Sequence, residues 1–135
     1  MQVVWAGDYV FLGDDGLGHS IVFDSSREGS GKGISPMKAL LACVAACSAM
    51  DVVAILAKRG QNLSSLRVQV GGERPEHGAP KPYTSISLKY ILSGESLEEK
   101  YVEEAVRDGI EKFCSVAATI KGAPKIDHGY EIVNV

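Results

Sequence analysis

The sequence predicts an α+β fold. Three observations carry this: a long apolar helix with clear start and stop signals, short alternating segments on both sides of it, and a second, amphipathic helix late in the chain. The order reads ββ(β)-α-ββ-α-α-β over a single domain, residues 1–135. A chain of this size hides roughly two-thirds of its unfolded surface on folding, so it can build a core without staples.

Taken in order, Gln2–Ala6 and Asp8–Leu12 read as a short hairpin turning at Gly7. Residues 13–18 form a Gly/Asp turn cluster, and His19–Asp24 is a further strand with Ile21 and Phe23 alternating. Ser25–Ile34 is a glycine-bearing loop that completes no phosphate-cradle pattern. Ser35 then supplies an N-cap and Pro36 the first helical position of a helix that Gly60 closes after Lys58 and Arg59. At 1.5 Å per residue it runs for about 35 Å. From Ala39 to Met50 it is apolar on nearly every side, which predicts wrapping by other elements.

Leu66–Val70 alternates as a strand, Gly71–Lys81 is a polar connection, and Tyr83–Leu92 is a longer strand with Ile86, Leu88, Tyr90 and Leu92 on one face. Ser96-Leu97-Glu98-Glu99 matches a capping box for the second helix, whose apolar stripe is Val102, Val106, Ile110 and Phe113. Ser115–Lys121 can form a short helix. Lys125–Val135 closes the chain as an expected strand with Ile126, His128, Tyr130 and Ile132 on one face. Too few elements surround the first helix to cover it, so an obligate homodimer is expected.

Net charge is −3 and no basic patch is interleaved with aromatics, which argues against a nucleic-acid partner. Three cysteines without framework spacing do not make a secreted disulfide scaffold. Met1–Trp5 lacks the charged start and apolar core of a signal peptide, so a cytoplasmic location is expected. Residues 39–57 are long enough to cross a bilayer, but seven of them are alanines and Asp51 lies among them. An aspartate near a span's centre costs about 2.5–3.5 kcal/mol, so a core helix is expected and no membrane association.

The candidate chemistry lies in Cys47, mid-way along the first helix, and Cys114, between the second and third. The residues leave two readings open for each. A buried cysteine is commonly a small hydrophobe. Two thiols on separate elements can also work as an attacking and a resolving pair. Asp51, one turn beyond Cys47, disfavours a thiolate there if ionised, so activation needs a cation or hydrogen-bond donor from elsewhere, with Arg27, Arg74, Lys112 and Lys121 as candidates. Cys114 either finishes the apolar stripe or sits at a helix N-terminus, where the dipole lowers a thiol pKa. Cys43 lies one turn from Cys47, too nearly parallel for an unstrained bridge. No spacing of His19, His77 and His128 with the cysteines supports a metal site, and the acidic run Glu98, Glu99, Glu103, Glu104 reads as a solvated helix face.

At these residues the chain resembles the OsmC/Ohr family, the osmotically induced and organic-hydroperoxide-resistance proteins. The matching segments are Ser35-Pro36, Ala46-Cys47-Ser48-Ala49-Met50-Asp51-Val52-Val53 and Lys112-Phe113-Cys114-Ser115-Val116, and the element order agrees from end to end. The second segment looks nearest to the YhfA-like branch. The resemblance implies an OsmC-like fold: an intertwined homodimer with long central helices packed between antiparallel sheets and sites near the subunit interface. It also implies a thiol-dependent hydroperoxide reductase of the oxidative stress response, with no metal or organic cofactor. Cys47 would attack the peroxide, Cys114 would resolve the sulfenic acid, and a dithiol would reopen the disulfide.

Two departures stand out. Peroxidases of the family use a hairpin arginine paired with a glutamate just after the helix-opening proline. Residues 1–26 here contain neither arginine nor lysine, and Met37 stands at the glutamate position. The resemblance therefore implies weak peroxidase activity. The alternative is a non-peroxidatic binding or redox-sensing dimer.

Overall fold

The computed structural model describes residues 1–25 and 27–133. Strands β1 (Gln2–Trp5), β2 (Phe11–Asp14) and β3 (Ser20–Phe23) form an antiparallel meander in that order. The second strand starts three residues later than the alternation predicts. Gly7 (φ 97°) and Asp8 (φ 47°) adopt left-handed backbone, and Val10 N–H donates to Gly7 O, so the turn consumes residues 6–10. The meander is tied to the following helix by backbone bonds between Asp24 and Ile34 and between Ile34 and Val22. Asp24, 2% exposed, organises that loop by accepting from Ser25 N, Ser30 Oγ and Lys32 N.

Helix α1 spans Pro36–Lys58, as its punctuation predicts. Ser35 Oγ accepts from Lys38 N–H, and Gly60 (φ 67°) closes the other end. There Gly60 N–H donates to Ala57 O and Gln61 N–H to Leu56 O, the paired bonds of a Schellman stop. By length and hydropathy α1 could span a membrane, but one side of it packs on β4 (Asn62–Glu73), α2 (Glu99–Asp108) and a π turn (Gly109–Phe113).

Strands β4 and β5 (Ser85–Glu95) form a long antiparallel ribbon. β4 extends beyond its alternating core at both ends, with Gly71 and Gly72 in register opposite Ser87 and Ile86, whereas β5 starts at Ser85 rather than Tyr83 and runs on to Glu95, opposite Asn62. Gly72 is needed there: a Cβ would stand 2.4 Å from Tyr83 Cδ1, so only a bare backbone lets the tyrosine ring lie across the strand.

The capping box does not form. Ser96 is left-handed (φ 53°), which an N-cap residue cannot be, so α2 begins at Glu99 and Gln61 Oε1 instead accepts from Glu98 N–H. Helix α3 (Ser115–Gly122) follows the π turn. Fully buried Val52, Leu56 and Ala105 form the core where α1 and α2 meet the ribbon, with Leu66, Tyr90, Leu92 and Val102 packed around them.

Two expectations fail within one protomer. The strand expected over 125–135 is absent among the described residues, which end at 133: Ile126, Tyr130 and Ile132 are 85%, 90% and 73% exposed. The alternation is present, but no neighbouring strand offers it a ladder or a face to cover. Likewise α1 is not covered all round. Val44, Ser48 and Val52 are buried, whereas Ala42, Ala46 and Met50 face outward over an apolar groove that runs to Leu66 and Val68 of β4.

Candidate functional site: a thiol pair under helix α1

The π turn decides where Cys114 lies. Its closing bond runs from Cys114 N–H to Gly109 O, and the chain then leaves in extended conformation (φ −66°, ψ 102°) to start α3. Gly109 lets this corner press against α1, since a Cβ would sit 3.1 Å from Ser48 O and 3.2 Å from Val52 Cγ2. Cys114 is thereby carried beneath the helix. It is 3% exposed, with its thiol directed at Val44 O (3.9 Å).

Cys114 is itself the N-cap of α3: its Sγ accepts from Ala117 N–H at 3.3 Å. The helix end and the apolar packing, two readings that the sequence left open, are both realised. Their balance runs opposite to the dipole expectation. Burial pushes the Cys114 thiol above its ordinary value and the Cys47 thiol beside it adds to the effect, outweighing the lowering by the Ala117 and Val116 N–H groups. All three cysteines are free; Cys47 is half-buried and Cys43 is exposed. The fold thus brings together two thiols 67 residues apart in sequence, one reachable and one enclosed.

Two hydroxyls adjoin the pair that sequence reasoning passed over. Ser48, fully buried, donates to or accepts from Tyr90 Oη at 2.6 Å and also reaches Ala45 O at 3.1 Å. Burial raises the Tyr90 phenol above its usual value, the Ser48 bond opposes this, and the nearby Cys114 adds a smaller rise. The available signal was a hydroxyl in the otherwise aliphatic row Ile86, Leu88, Leu92, together with a serine in an alanine-rich helix.

The candidate cations scatter. Lys112 is 3.1 Å from Asp108 in a surface ion pair, and Arg27 and Arg74 line a cleft at the start of α1 with Met37. Lys121 stands with Glu111 at an apolar cleft whose wall includes Val44 and Ala117. Asp51 faces a separate polar cleft with Lys58, Arg59 and Asp108. Among the described residues, no three His, Cys, Asp or Glu side chains are grouped to hold a metal ion.

The family model described as OsmC-like protein matches residues 29–129, a stretch that contains both cysteines. The chain belongs to the OsmC-like family. Protein YhfA of Escherichia coli strain K12 is 39% identical over 132 residues, covering 98% of this chain and 96% of the relative. A crystal structure of a hypothetical protein from Aquifex aeolicus VF5 matches with a TM-score of 0.78 and 34% identity, over 90% of this chain and 86% of that one. An OsmC-like protein from Mycoplasma pneumoniae matches at TM-score 0.75 over 90% and 85% of the two chains, and at 22% identity this similarity speaks for the fold alone. The expected OsmC-like α+β fold is therefore what the chain adopts.

Proposed function

We propose that this OsmC-like protein is a weak thiol-dependent reductase of organic hydroperoxides, working through Cys47 and Cys114 as a cytoplasmic homodimer without the usual hairpin arginine and with Met37 in place of its glutamate partner. The observation that carries the reading is the asymmetry of the pair. Cys47 is accessible, while Cys114 lies buried against it with a raised pKa and stays protonated. A peroxide reaches the half-buried thiol before the enclosed one, which supports Cys47 as the attacking group and Cys114 as the resolving one.

The Cys47 thiolate attacks one peroxide oxygen and the O–O bond breaks. The sulfur becomes a sulfenic acid, and the alkoxide leaves and takes up a proton as the alcohol. Cys114 sulfur then attacks the sulfenic sulfur, an S–S bond forms, and hydroxide leaves with the Cys114 proton as water. An external dithiol reduces the disulfide by exchange. No metal or organic cofactor enters this cycle.

The dimer is supported by unpartnered apolar surface in three places. These are the α1 groove, the meander (Val3 59%, Trp5 65% exposed) and the terminal segment around Tyr130. A second copy that covers them would also complete the ladder the terminal alternation calls for.

Thiol titration of the native protein before and after one equivalent of an organic hydroperoxide tests the chemistry. Loss of two thiols per chain is expected, with Cys47→Ser abolishing turnover and Cys114→Ser permitting a single one. No thiol loss would overturn the reading and leave a binding dimer. Sedimentation at micromolar concentration tests the assembly; a folded monomer would overturn it.

A further inference from the structure

We propose that Arg27, Arg74 and Lys81 form an anion subsite for the carboxylate or phosphate head of an amphiphilic ligand whose apolar chain lies in the adjoining cleft, toward Cys114. The three cations line one open cleft of about 360 Å³ between the loop before α1 and the end of the ribbon. Among the described residues none of them has a carboxylate within 4 Å. Two are held by backbone carbonyls: Arg74 Nε donates to Lys81 O and Lys81 Nζ to Glu76 O, each at 2.6 Å. Pro36 and Met37 form another wall, and the first turn of α1 carries no acidic residue to neutralise the cations. Planar guanidiniums beside an ammonium suit a carboxylate or phosphate.

Tyr83 joins this cleft to the next. The Arg74 guanidinium stacks over its ring, 5.8 Å from the centroid, and its hydroxyl donates to Met37 O at 2.9 Å. Beyond the ring lies a cleft of about 490 Å³ walled by Val44, Ile86, Ile110, Ala117 and Ile120. Glu111 and Lys121, of opposite charge, also border it. Val44 and Ala117 both hydrogen-bond the Cys114 sulfur, so the thiol stands behind that wall. A ligand with its charge at the arginines and its chain along Tyr83 points its far end at the wall behind which Cys114 lies. Binding rests on these clefts alone; only the fate of the ligand rests on the thiol chemistry proposed above.

Calorimetry on Cys47→Ser/Cys114→Ser protein separates the two. With octanoate, octyl phosphate and neutral 1-octanol as probes, each anion is expected to bind about tenfold more tightly than the alcohol, the size of one charge-assisted hydrogen bond. The preference should shrink in about 0.5 M salt. The anion that binds more tightly distinguishes a carboxylate from a phosphate head. Arg27→Gln/Arg74→Gln should remove most of the preference, leaving what Lys81 supplies, while Arg74→Lys keeps a larger part of it. Arg27→Gln alone, which removes no side-chain bond among the described residues, should lower it with an unchanged melting temperature. Equal affinity for anion and alcohol, or a preference undiminished by the double substitution, would overturn the subsite. Anion binding without any thiol oxidation in the unmodified protein would instead overturn the peroxidase reading and leave the subsite standing.

Discussion

Replacing Ser48 by Ala tests the polar contact beside the thiols. The serine is fully buried and its bond to Tyr90 Oη, at 2.6 Å, is the link between mid-α1 and mid-β5. Its loss leaves the phenol hydroxyl without that partner. An unsatisfied buried hydroxyl costs about 1–3 kcal/mol, and the half-buried tyrosine belongs at the lower end. Alanine's better helix propensity returns up to about 0.5 kcal/mol. The net expectation is a loss of about 1 kcal/mol, or about 3–5 °C in Tm for a domain of this size. Tyr90→Phe should cost less, because Ser48 Oγ keeps Ala45 O at 3.1 Å. The double variant strands no hydroxyl, so its loss should fall short of the summed single losses by about 0.5–1 kcal/mol. Thermal and urea unfolding of the four proteins completes the cycle. Additivity to within about 0.3 kcal/mol would refute the coupling and the contact with it.

Gly109→Ala should destabilise the protein by about 1–3 kcal/mol despite alanine's helix preference, since the new Cβ crowds Ser48 O at 3.1 Å and Val52 Cγ2 at 3.2 Å and the corner must shift away from α1; it should also slow Cys47–Cys114 bridging, measured by peptide mapping after mild oxidation. A variant that oxidises as readily and melts higher would show the corner to be loose. In protein lacking Cys43 and Cys47, alkylation of Cys114 should still be rising with pH beyond the ordinary thiol value of 9.0, because burial, the larger cause of its shift, remains. The linked stability has the same sign: the unfolded thiol ionises first, so stability falls as pH rises above 9.0, and less so in Cys114→Ser. Asp24 behaves oppositely. The Lys32 N–H, then the Ser30 hydroxyl and the Ser25 N–H, hold its carboxyl below the ordinary 3.8, so its contribution is present above that value and lost as pH falls through the lower folded one. Melting between neutral and acid pH should therefore decline more for the native protein than for Asp24→Asn.

Local chemistry alone set the limits of α1. Ser35, Pro36 and Gly60 act on backbone groups within a turn of themselves, and no distant contact was needed to place either end. The same holds for the cores of β4 and β5, whose alternation matches the pleat, and for the OsmC-like wording around Cys47 and Cys114. Signals that depend on a neighbour misled. Ser96 matched a capping box, but the left-handed turn out of β5 removed it from the N-cap and Gln61 took over. The alternation over 126–132 specified a strand face without specifying what covers it, and one protomer supplies nothing. The site itself belongs to tertiary structure. Gly109 reads as an ordinary glycine until Ser48 O and Val52 lie against it, and that close approach is what carries Cys114 under α1 to Cys47. The direction of the Cys114 pKa follows from the same packing. The helix start alone would lower it, but enclosure removes the water that a thiolate needs, and this desolvation outweighs two backbone N–H groups.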